Sequence, residues 1–148
     1  MGCGKGEYTV GLATKNAHKN YVGVDIKGNR IWTGAKSALD LKLNNVAFLR
    51  SRIDFIDSCF AENEVDEIWI TFPDPQPQKT RQKKRLTHPL FLSRYKKFLK
   101  PSGFIHLKTD STSLYEYTLE VIKEQNLKLH WHTNNLYKNC PEERQELV

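Results

Sequence analysis

The chain has 148 residues, of which 39% are apolar and 27% are charged. This balance is typical of a folded globular protein and excludes a disordered or fibrous chain. The length predicts a single domain over residues 1–148. Because no apolar run is long enough to span a bilayer and the N-terminus lacks the layout of a signal peptide, we expect a cytoplasmic protein without membrane association.

The formal net charge of +6 is compatible with a polyanionic partner but does not identify one. Cys3, Cys59 and Cys140 are scattered and show no CxxC spacing, so we expect reduced thiols and neither a disulfide framework nor a zinc site. His130 and His132 would share one face of a strand, but no third ligand lies nearby. The sequence therefore predicts no metal.

Helical and strand patterns alternate through the first half of the chain. The region 21–26 is rich in β-formers, and apolar residues recur at helical spacing in the segment that follows it. The predicted elements of this half are a helix over 7–14, a strand over 21–26, a helix over 27–41, a strand over 46–49, a helical turn or two over 53–60 and a strand over 67–72.

The second half begins with a loop over 73–85. A helix follows, with Thr87 as its cap and Pro89 in its first turn, and it is expected to end at the segment 101–103. A strand over 104–109 and a helix over 113–125, with Ser113 and Glu116 as a capping box, come next. A last strand is predicted over 128–133, before a polar end over 134–148. We expect three tryptophans in the core: Trp32, Trp69 and Trp131.

Strands separated by helices of this length favour βαβ units. The sequence therefore predicts an α/β protein with a parallel sheet and helices on both faces.

Glycines at positions 2, 4 and 6 form the first candidate ligand-binding feature. A turn of this kind lets the backbone approach a ligand closely, because glycine lacks a Cβ and tolerates positive φ. Asp25 follows at the end of the next strand, where a carboxylate can bind the ribose hydroxyls of an adenosine cofactor. Two alternatives remain: Asp25 caps the helix that follows it, or the turn binds a nicotinamide dinucleotide. Glu7 at the position of the third fingerprint glycine argues against the dinucleotide.

The loop after the strand over 67–72 is the second candidate feature. Pro73 and Pro75 restrict the backbone on both sides of Asp74, at the carboxyl end of a strand, where ligands bind in open α/β sheets. Five of the seven residues from Lys79 to Arg85 are Lys or Arg and can contact phosphates. The alternative for this basic run is a solvated, mobile loop.

Four motifs occur in order along the chain. They are Gly-Cys-Gly-Lys-Gly at 2–6, Phe-Pro-Asp-Pro at 72–75, Lys-Arg-Leu-Thr at 84–87 and His-Leu-Lys-Thr-Asp at 106–110. Together they resemble the bacterial tRNA (guanine-N7)-methyltransferase family, and the resemblance runs from Gly2 to about Tyr117. It implies a Rossmann-like class I fold, S-adenosyl-L-methionine as cofactor and tRNA as partner, with methylation at the variable-loop guanosine 46.

The resemblance also implies roles for individual residues. Asp74 would be catalytic and would contact the cofactor, while Asp110 would contact the guanine unless it only caps the following helix. The remaining implied residues are the cofactor-binding Gly2, Gly4, Asp25 and Arg52 and the substrate-binding Gln78 and Lys79.

This chemistry suits guanine N7, whose lone pair is available at neutral pH, so no general base is needed and in-line alignment is sufficient. Asp74 and Asp110 would face the positive charge that methylation creates.

The chain departs from the family pattern at both ends and inside. The first strand of the sheet, the last strand and a late Thr-x-x-Glu motif are expected to be missing, and Arg52, Gln76 and Gln78 replace residue types common in the family. We therefore expect weak cofactor binding and low activity. The alternatives are a remnant that binds tRNA without chemistry and a nicotinamide-dependent oxidoreductase.

Overall fold

The structure is a computed structural model that describes residues 1–141; the acidic end of the predicted polar segment 134–148 lies outside the described residues. Helices and strands alternate, as the sequence predicted. In chain order they are α1 (Glu7–Lys15), β1 (Tyr21–Asp25), α2 (Gly28–Asp40), β2 (Val46–Arg50), a 3₁₀ helix (Ile53–Ser58), β3 (Val65–Thr71), a second 3₁₀ helix (Lys79–Lys84), α3 (Pro89–Tyr95), β4 (Leu99–Lys108), α4 (Thr112–Glu124) and α5 (Leu136–Asn139).

The strands form two parallel pairs. β1 pairs with β2 so that Asp25 lies opposite Arg50, and β3 pairs with β4 so that Thr71 lies opposite Lys108. Within the described residues no strand joins β1 to β3. β1 and β3 therefore belong to separate two-stranded sheets in the described part of the chain.

The segment Met1–Cys3 bridges the two pairs near the carboxyl ends of β1 and β3. The Met1 amino group donates to the Trp69 carbonyl at 2.6 Å, and the Cys3 amide donates to the Val24 carbonyl at 2.8 Å. A cleft of about 750 Å³ separates β1 from β3 beyond this bridge.

The main hydrophobic core lies where the helices pack against the two strand pairs. α1 and α2 pack against β1 and β2 and against each other, while α3 and α4 supply apolar side chains opposite β3. The buried core residues are Val24, Ile56, Ile68, Ile70, Phe91, Leu92, Tyr95, Phe98 and Val121. No helix within residues 1–141 combines the length and apolarity needed to cross a membrane.

Two predicted boundaries around α3 are wrong. Its cap is His88, whose Nδ1 accepts a hydrogen bond from the Leu90 amide at 3.1 Å. Thr87 is instead buried, and its hydroxyl lies 2.8 Å from that of Thr118 on α4. This tertiary contact removes Thr87 from the cap position, so the helix begins one residue later.

The segment 101–103 does not end a helix; it lies inside β4, because α3 already ends at Tyr95. The register of β3 against β4 shifts between Val65 and Glu67. A Cβ at Gly103 would lie 2.7 Å from the Asp66 carbonyl oxygen, so glycine permits the close approach of the two strands at this irregularity.

The predicted capping box of α4 is also wrong. Ser111 is the cap, and its hydroxyl accepts a hydrogen bond from the Leu114 amide at 3.3 Å. Neither Ser113 nor Asp110 occupies the cap position. Ser111 takes the cap position because its amide donates a hydrogen bond to the Thr109 hydroxyl at 3.1 Å, which fixes the backbone at the start of the helix.

The predicted last strand over 128–133 is not present in the described structure. This segment is held by side chains: the His132 Nδ1 lies 2.7 Å from the Tyr115 hydroxyl, and the His130 ring packs edge-on against Phe104 at 4.9 Å. The strand prediction for this segment is therefore wrong.

The placement of the tryptophans in the core is wrong for Trp32, which is 65% exposed on α2. Trp69 is half-buried and stacks on the His106 ring at 4.3 Å. Trp131 is also only partly buried.

Asn45 fixes the chain between α1 and β1. It is buried, and the two hydrogens of its amide nitrogen are shared among the carbonyls of Ala13 at 3.0 Å, Asn16 at 3.2 Å and Lys19 at 2.9 Å. These carbonyls belong to the end of α1 and the loop after it. One side chain therefore satisfies acceptors that a helix end leaves unpaired.

Asn45→Ala should lower the free energy of unfolding by about 1–3 kcal/mol, because it removes the donor that Asn45 supplies to the buried Ala13 carbonyl and to the part-buried Lys19 carbonyl. Urea denaturation measures this change. The control is Asn29→Ala at an exposed position of α2, which should change stability by less than about 0.5 kcal/mol. Equal effects of the two substitutions would contradict a special role of Asn45.

Glu67 on β3 has a carboxylate that lies beside the side chains of His106 and Lys19. Its carboxylate lies 3.2 Å from the His106 Nε2 and 3.1 Å from the Lys19 Nζ. The His106 Nε2 is buried and has no well-aligned hydrogen-bond partner, although it lies at hydrogen-bonding distance from this carboxylate. His106 first, and then Lys19, outweigh partial burial and lower the pKa of Glu67 to about 2.

The pH dependence of Glu67→Gln tests this arrangement. The folded pKa lies below the ordinary value of 4.5, so ionised Glu67 contributes stability that is complete above about pH 4.5 and is lost as the pH falls towards 2. Glu67→Gln should therefore be more destabilising at pH 7 than at pH 3, measured by urea denaturation. Glu120→Gln on the exposed side of α4 is the control, and an equal loss at both pH values would refute the assignment.

Candidate functional site

The glycine turn combines positive φ with open space. Gly2, Gly4 and Gly6 have φ of +66°, +55° and +78°. A Cβ at Gly6 would lie 2.8 Å from the Phe48 ring, so this glycine is needed for packing. No atom lies within 4 Å of a Cβ built at Gly2 or Gly4. Space is therefore open beside the backbone at these two positions, and their cofactor-binding role stays a prediction.

Asp25 is hydrogen-bonded to the backbone of this turn. The buried carboxylate accepts hydrogen bonds from the Gly4 amide and the Lys27 amide, each at 2.9 Å. Lys27, and not Asp25, is the cap residue of α2, so the capping alternative is wrong. Each carboxylate oxygen has a second lone pair that can accept a further donor.

Arg52 follows β2 at the same edge as Asp25, because Asp25 is paired with Arg50. It is exposed, it lies 3.3 Å from the Asp54 carboxylate and its guanidinium is 5.7 Å from the Phe55 ring. An exposed ion pair of this kind contributes little to stability. The residue is thus available for a ligand contact.

The Asp74 loop has a strained backbone on both sides of its carboxylate. Phe72 has φ of +47° and Gln76 has φ of +46°, although neither is glycine. Such conformations cost about 1–3 kcal/mol each and are found preferentially at functional sites. Asp74 is exposed, and its Oδ1 accepts a hydrogen bond from the Gln76 amide at 3.1 Å. The carboxylate is therefore held in a defined position, as its two flanking prolines predicted.

Arg85 holds this loop in place, a role that sequence reasoning missed. Its Nε and a terminal nitrogen donate to the Gln76 carbonyl at 3.2 and 3.1 Å, and its guanidinium lies 4.3 Å from the centre of the Tyr117 ring. Arg85 is buried, unlike the other cations of the run. The only signal in the sequence is its position at the end of the basic run, next to Leu86.

The segment after Arg85 is anchored on the core. The Tyr95 hydroxyl donates to the Leu86 carbonyl at 3.0 Å. Burial raises the pKa of Tyr95 well above its ordinary value, so the hydroxyl stays a donor. The loop that carries Asp74 is thus tied to α3 at its far end.

The basic run is ordered as a 3₁₀ helix, Lys79–Lys84, with Gln78 as its cap residue. Gln78 and Lys79, two of the three predicted substrate residues, are exposed at its start. Arg81, Lys83 and Lys84 are exposed as well. The alternative of a solvated, mobile loop is confirmed in that these four cations face solvent, although the segment has helical backbone.

Asp110 is exposed just after β4. Thr71 of β3 pairs with Lys108 of β4. Asp74 lies three residues after Thr71, and Asp110 lies two residues after Lys108. The two acidic residues therefore follow neighbouring strands at the same edge. The glycine turn lies at this edge too, through its contacts with β1 and β3. The structure thus gathers the predicted residues of both candidate subsites at the carboxyl ends of the strands.

The described residues of this region provide neither a cluster of metal ligands nor a reactive thiol. Among residues 1–141 no group of three His, Cys, Asp or Glu side chains is arranged to hold a metal ion. Cys3 lies beside the glycine turn, where burial raises the pKa of its thiol. A thiol of this kind is a poor nucleophile at neutral pH.

Comparison with known proteins shows relatives over most of the chain. Two relatives are named tRNA (guanine-N(7)-)-methyltransferase. The one from Christiangramia forsetii is 54% identical over 139 residues, which cover 94% of this chain and 62% of the relative. The one from Porphyromonas gingivalis is 54% identical over 143 residues, which cover 96% of this chain and 58% of the relative. The chain therefore spans about three-fifths of the length of these relatives.

The fold has a counterpart among solved structures. A SAM-dependent methyltransferase from Aquifex aeolicus superimposes with a TM-score of 0.65 at 21% identity, over 88% of this chain and 71% of that one. This likeness confirms the predicted Rossmann-like α/β fold. A family model described as "Putative methyltransferase" matches residues 1–147. The chain therefore belongs to this methyltransferase family.

Proposed function

We propose that this protein transfers a methyl group from S-adenosyl-L-methionine to N7 of a guanine in tRNA. The observation that carries the proposal is the strained loop of Phe72–Gln76, which presents Asp74 at the carboxyl edge of the strands. The names of the two relatives agree with this reaction. We further propose that residues 1–148 act as one domain and that the protein works in the cytoplasm, with tRNA as its partner.

The glycine turn and Asp25 fit the proposed cofactor. The open space at Gly2 and Gly4 admits a ligand against the backbone, and the Asp25 oxygens retain lone pairs for ribose hydroxyls. Arg52 adds a polar contact at the same edge. When bound, the cofactor supplies a methyl group on a positively charged sulfur.

Asp74 has two proposed roles. Its carboxylate orients the reacting groups, and it stabilises the positive charge that develops on the purine as N7 is methylated. No residue has to remove a proton from N7, because the lone pair is already free. The fixed geometry between Phe72 and Gln76 lets Asp74 act without rearrangement.

Substrate binding is assigned to the remaining predicted residues. Asp110 can accept hydrogen bonds from the N1 and exocyclic amino hydrogens of guanine. Gln78 and Lys79 lie on the basic 3₁₀ helix, whose exposed cations contact phosphates next to the site. Arg85, which is buried, instead positions the Asp74 loop.

Asp74→Asn tests the reaction centre. The substitution keeps the shape but removes the charge, so the single-turnover rate of methyl transfer to tRNA that lacks 7-methylguanosine should fall about 100-fold or more. Borohydride and aniline cleavage locates the product. Asp40→Asn at the exposed end of α2 is the control and should keep the rate within about twofold. An unchanged rate in Asp74→Asn would remove this residue from the mechanism, and transfer to another atom would refute the proposed reaction.

The triple variant Arg81→Ala, Lys83→Ala and Lys84→Ala tests the phosphate contacts. Each lost contact should reduce the slope of log K against log salt concentration by about 0.9, or by about 0.7 on single-stranded RNA. We therefore expect weaker tRNA binding and a slope smaller by about two to three in a filter-binding salt titration.

The control for this variant removes three exposed lysines from other faces, Lys36, Lys96 and Lys123, and leaves the net charge equal to that of the first variant. If both variants reduce the slope equally, tRNA binding depends on overall charge, and the 3₁₀ helix is not the contact surface.

A further inference from the structure

Three aromatic rings surround the ammonium of Lys108. The Lys108 Nζ lies 5.2 Å from the ring centre of Tyr8, 5.8 Å from that of Phe72 and 5.8 Å from that of Tyr137. Each distance is within the range of a cation–π interaction. We call Tyr8, Phe72 and Tyr137 the aromatic cage.

The cage is assembled at the carboxyl edge from separate parts of the chain. Tyr8 is in the first turn of α1, directly after the glycine turn, and Phe72 precedes the Asp74 loop. The Phe72 amide donates to the Lys108 carbonyl at 2.8 Å, which fixes this ring beside β4. Phe72 is 51% exposed and Tyr137 is 78% exposed, so the cage is open to a ligand.

The angle between the rings of the cage determines which shape of cation fits between them. The rings of Tyr8 and Phe72 are 6.2 Å apart and inclined at 57° to each other. A flat base would need two nearly parallel faces, whereas inclined faces suit a compact, roughly spherical cation such as an ammonium. A sulfonium that carries a methyl group is similar in size and charge.

We propose that the aromatic cage binds the methylsulfonium of S-adenosyl-L-methionine and that the Lys108 ammonium occupies the cage as an internal competitor. This inference rests on the proposed function, because it deepens the same cofactor site. The negative faces of the rings favour a cation, and the demethylated cofactor is neutral at sulfur. The cage therefore binds the charged cofactor more tightly than its neutral product. Because the sulfonium must displace the Lys108 ammonium from the cage, Lys108 reduces this difference in affinity.

Isothermal titration of the whole chain with S-adenosylmethionine and with S-adenosylhomocysteine tests the cage. Phe72→Leu removes one ring and should weaken binding of the sulfonium compound by about threefold relative to the neutral one. Lys108→Met removes the competitor and should strengthen binding of the sulfonium compound, by about threefold or more, with little change for the neutral one.

Two matched controls separate the cage from general effects. Phe104→Leu removes another partly exposed ring, from the middle of β4, and Lys96→Met removes an exposed ammonium after α3. Neither should change the ratio of the two affinities. Tyr8→Leu repeats the ring deletion on α1 in case Phe72→Leu does not fold, which thermal melting detects.

The outcomes distinguish this inference from the proposed function. If both compounds bind but the ring deletions leave the affinity ratio unchanged, the cage inference is overturned and the cofactor assignment stands. If an increase in Lys108→Met is matched by Lys96→Met, the effect is general electrostatics and the competitor role is overturned. If neither compound binds to the wild-type chain, the cofactor assignment fails and the inference fails with it.

Discussion

The buried carboxylate of Asp25 is the contact on which the arrangement of the site depends. By accepting the amides of Gly4 and Lys27, it joins the glycine turn to the end of β1 and to the start of α2. The turn continues from Met1–Cys3, which is the bridge to β3. A single side chain thus connects the bridge between the two strand pairs with the backbone that faces the candidate cofactor. Any substitution that removes the acceptors leaves two backbone donors unpaired beside the site.

Arg85 performs the equivalent task for the second half of the site. It is part of a basic run, yet it is buried against Tyr117 and donates to the Gln76 carbonyl. The positive φ at Phe72 and Gln76 requires support from the surrounding structure, and Arg85 supplies it from the folded side of the loop. Its neighbours in the run remain in solvent. One short segment therefore combines a positioning residue with an exposed cationic surface.

The sequence predicted the alternation of helices and strands, the glycine turn and the Asp74 loop, because each depends on local patterns of spacing and residue type. It did not predict features that depend on tertiary contacts. Thr87 was expected to cap a helix but bonds to Thr118, and Trp32 was expected in the core but lies on an exposed face. The role of Arg85 was not predicted either, since a run of Lys and Arg does not show which of its side chains is buried. The roles of Gly2, Gly4, Asp25 and Asp110 stay predictions, although the structure gathers them at one edge.

The cleft between β1 and β3 has a consequence for the behaviour of the protein in solution. Val22 of β1, which is 44% exposed, and Trp69 of β3 both line it. Strand edges that face such a space present backbone groups to any extended chain that can enter. The backbone groups along these two facing edges can therefore pair with an extended segment of chain that enters the cleft.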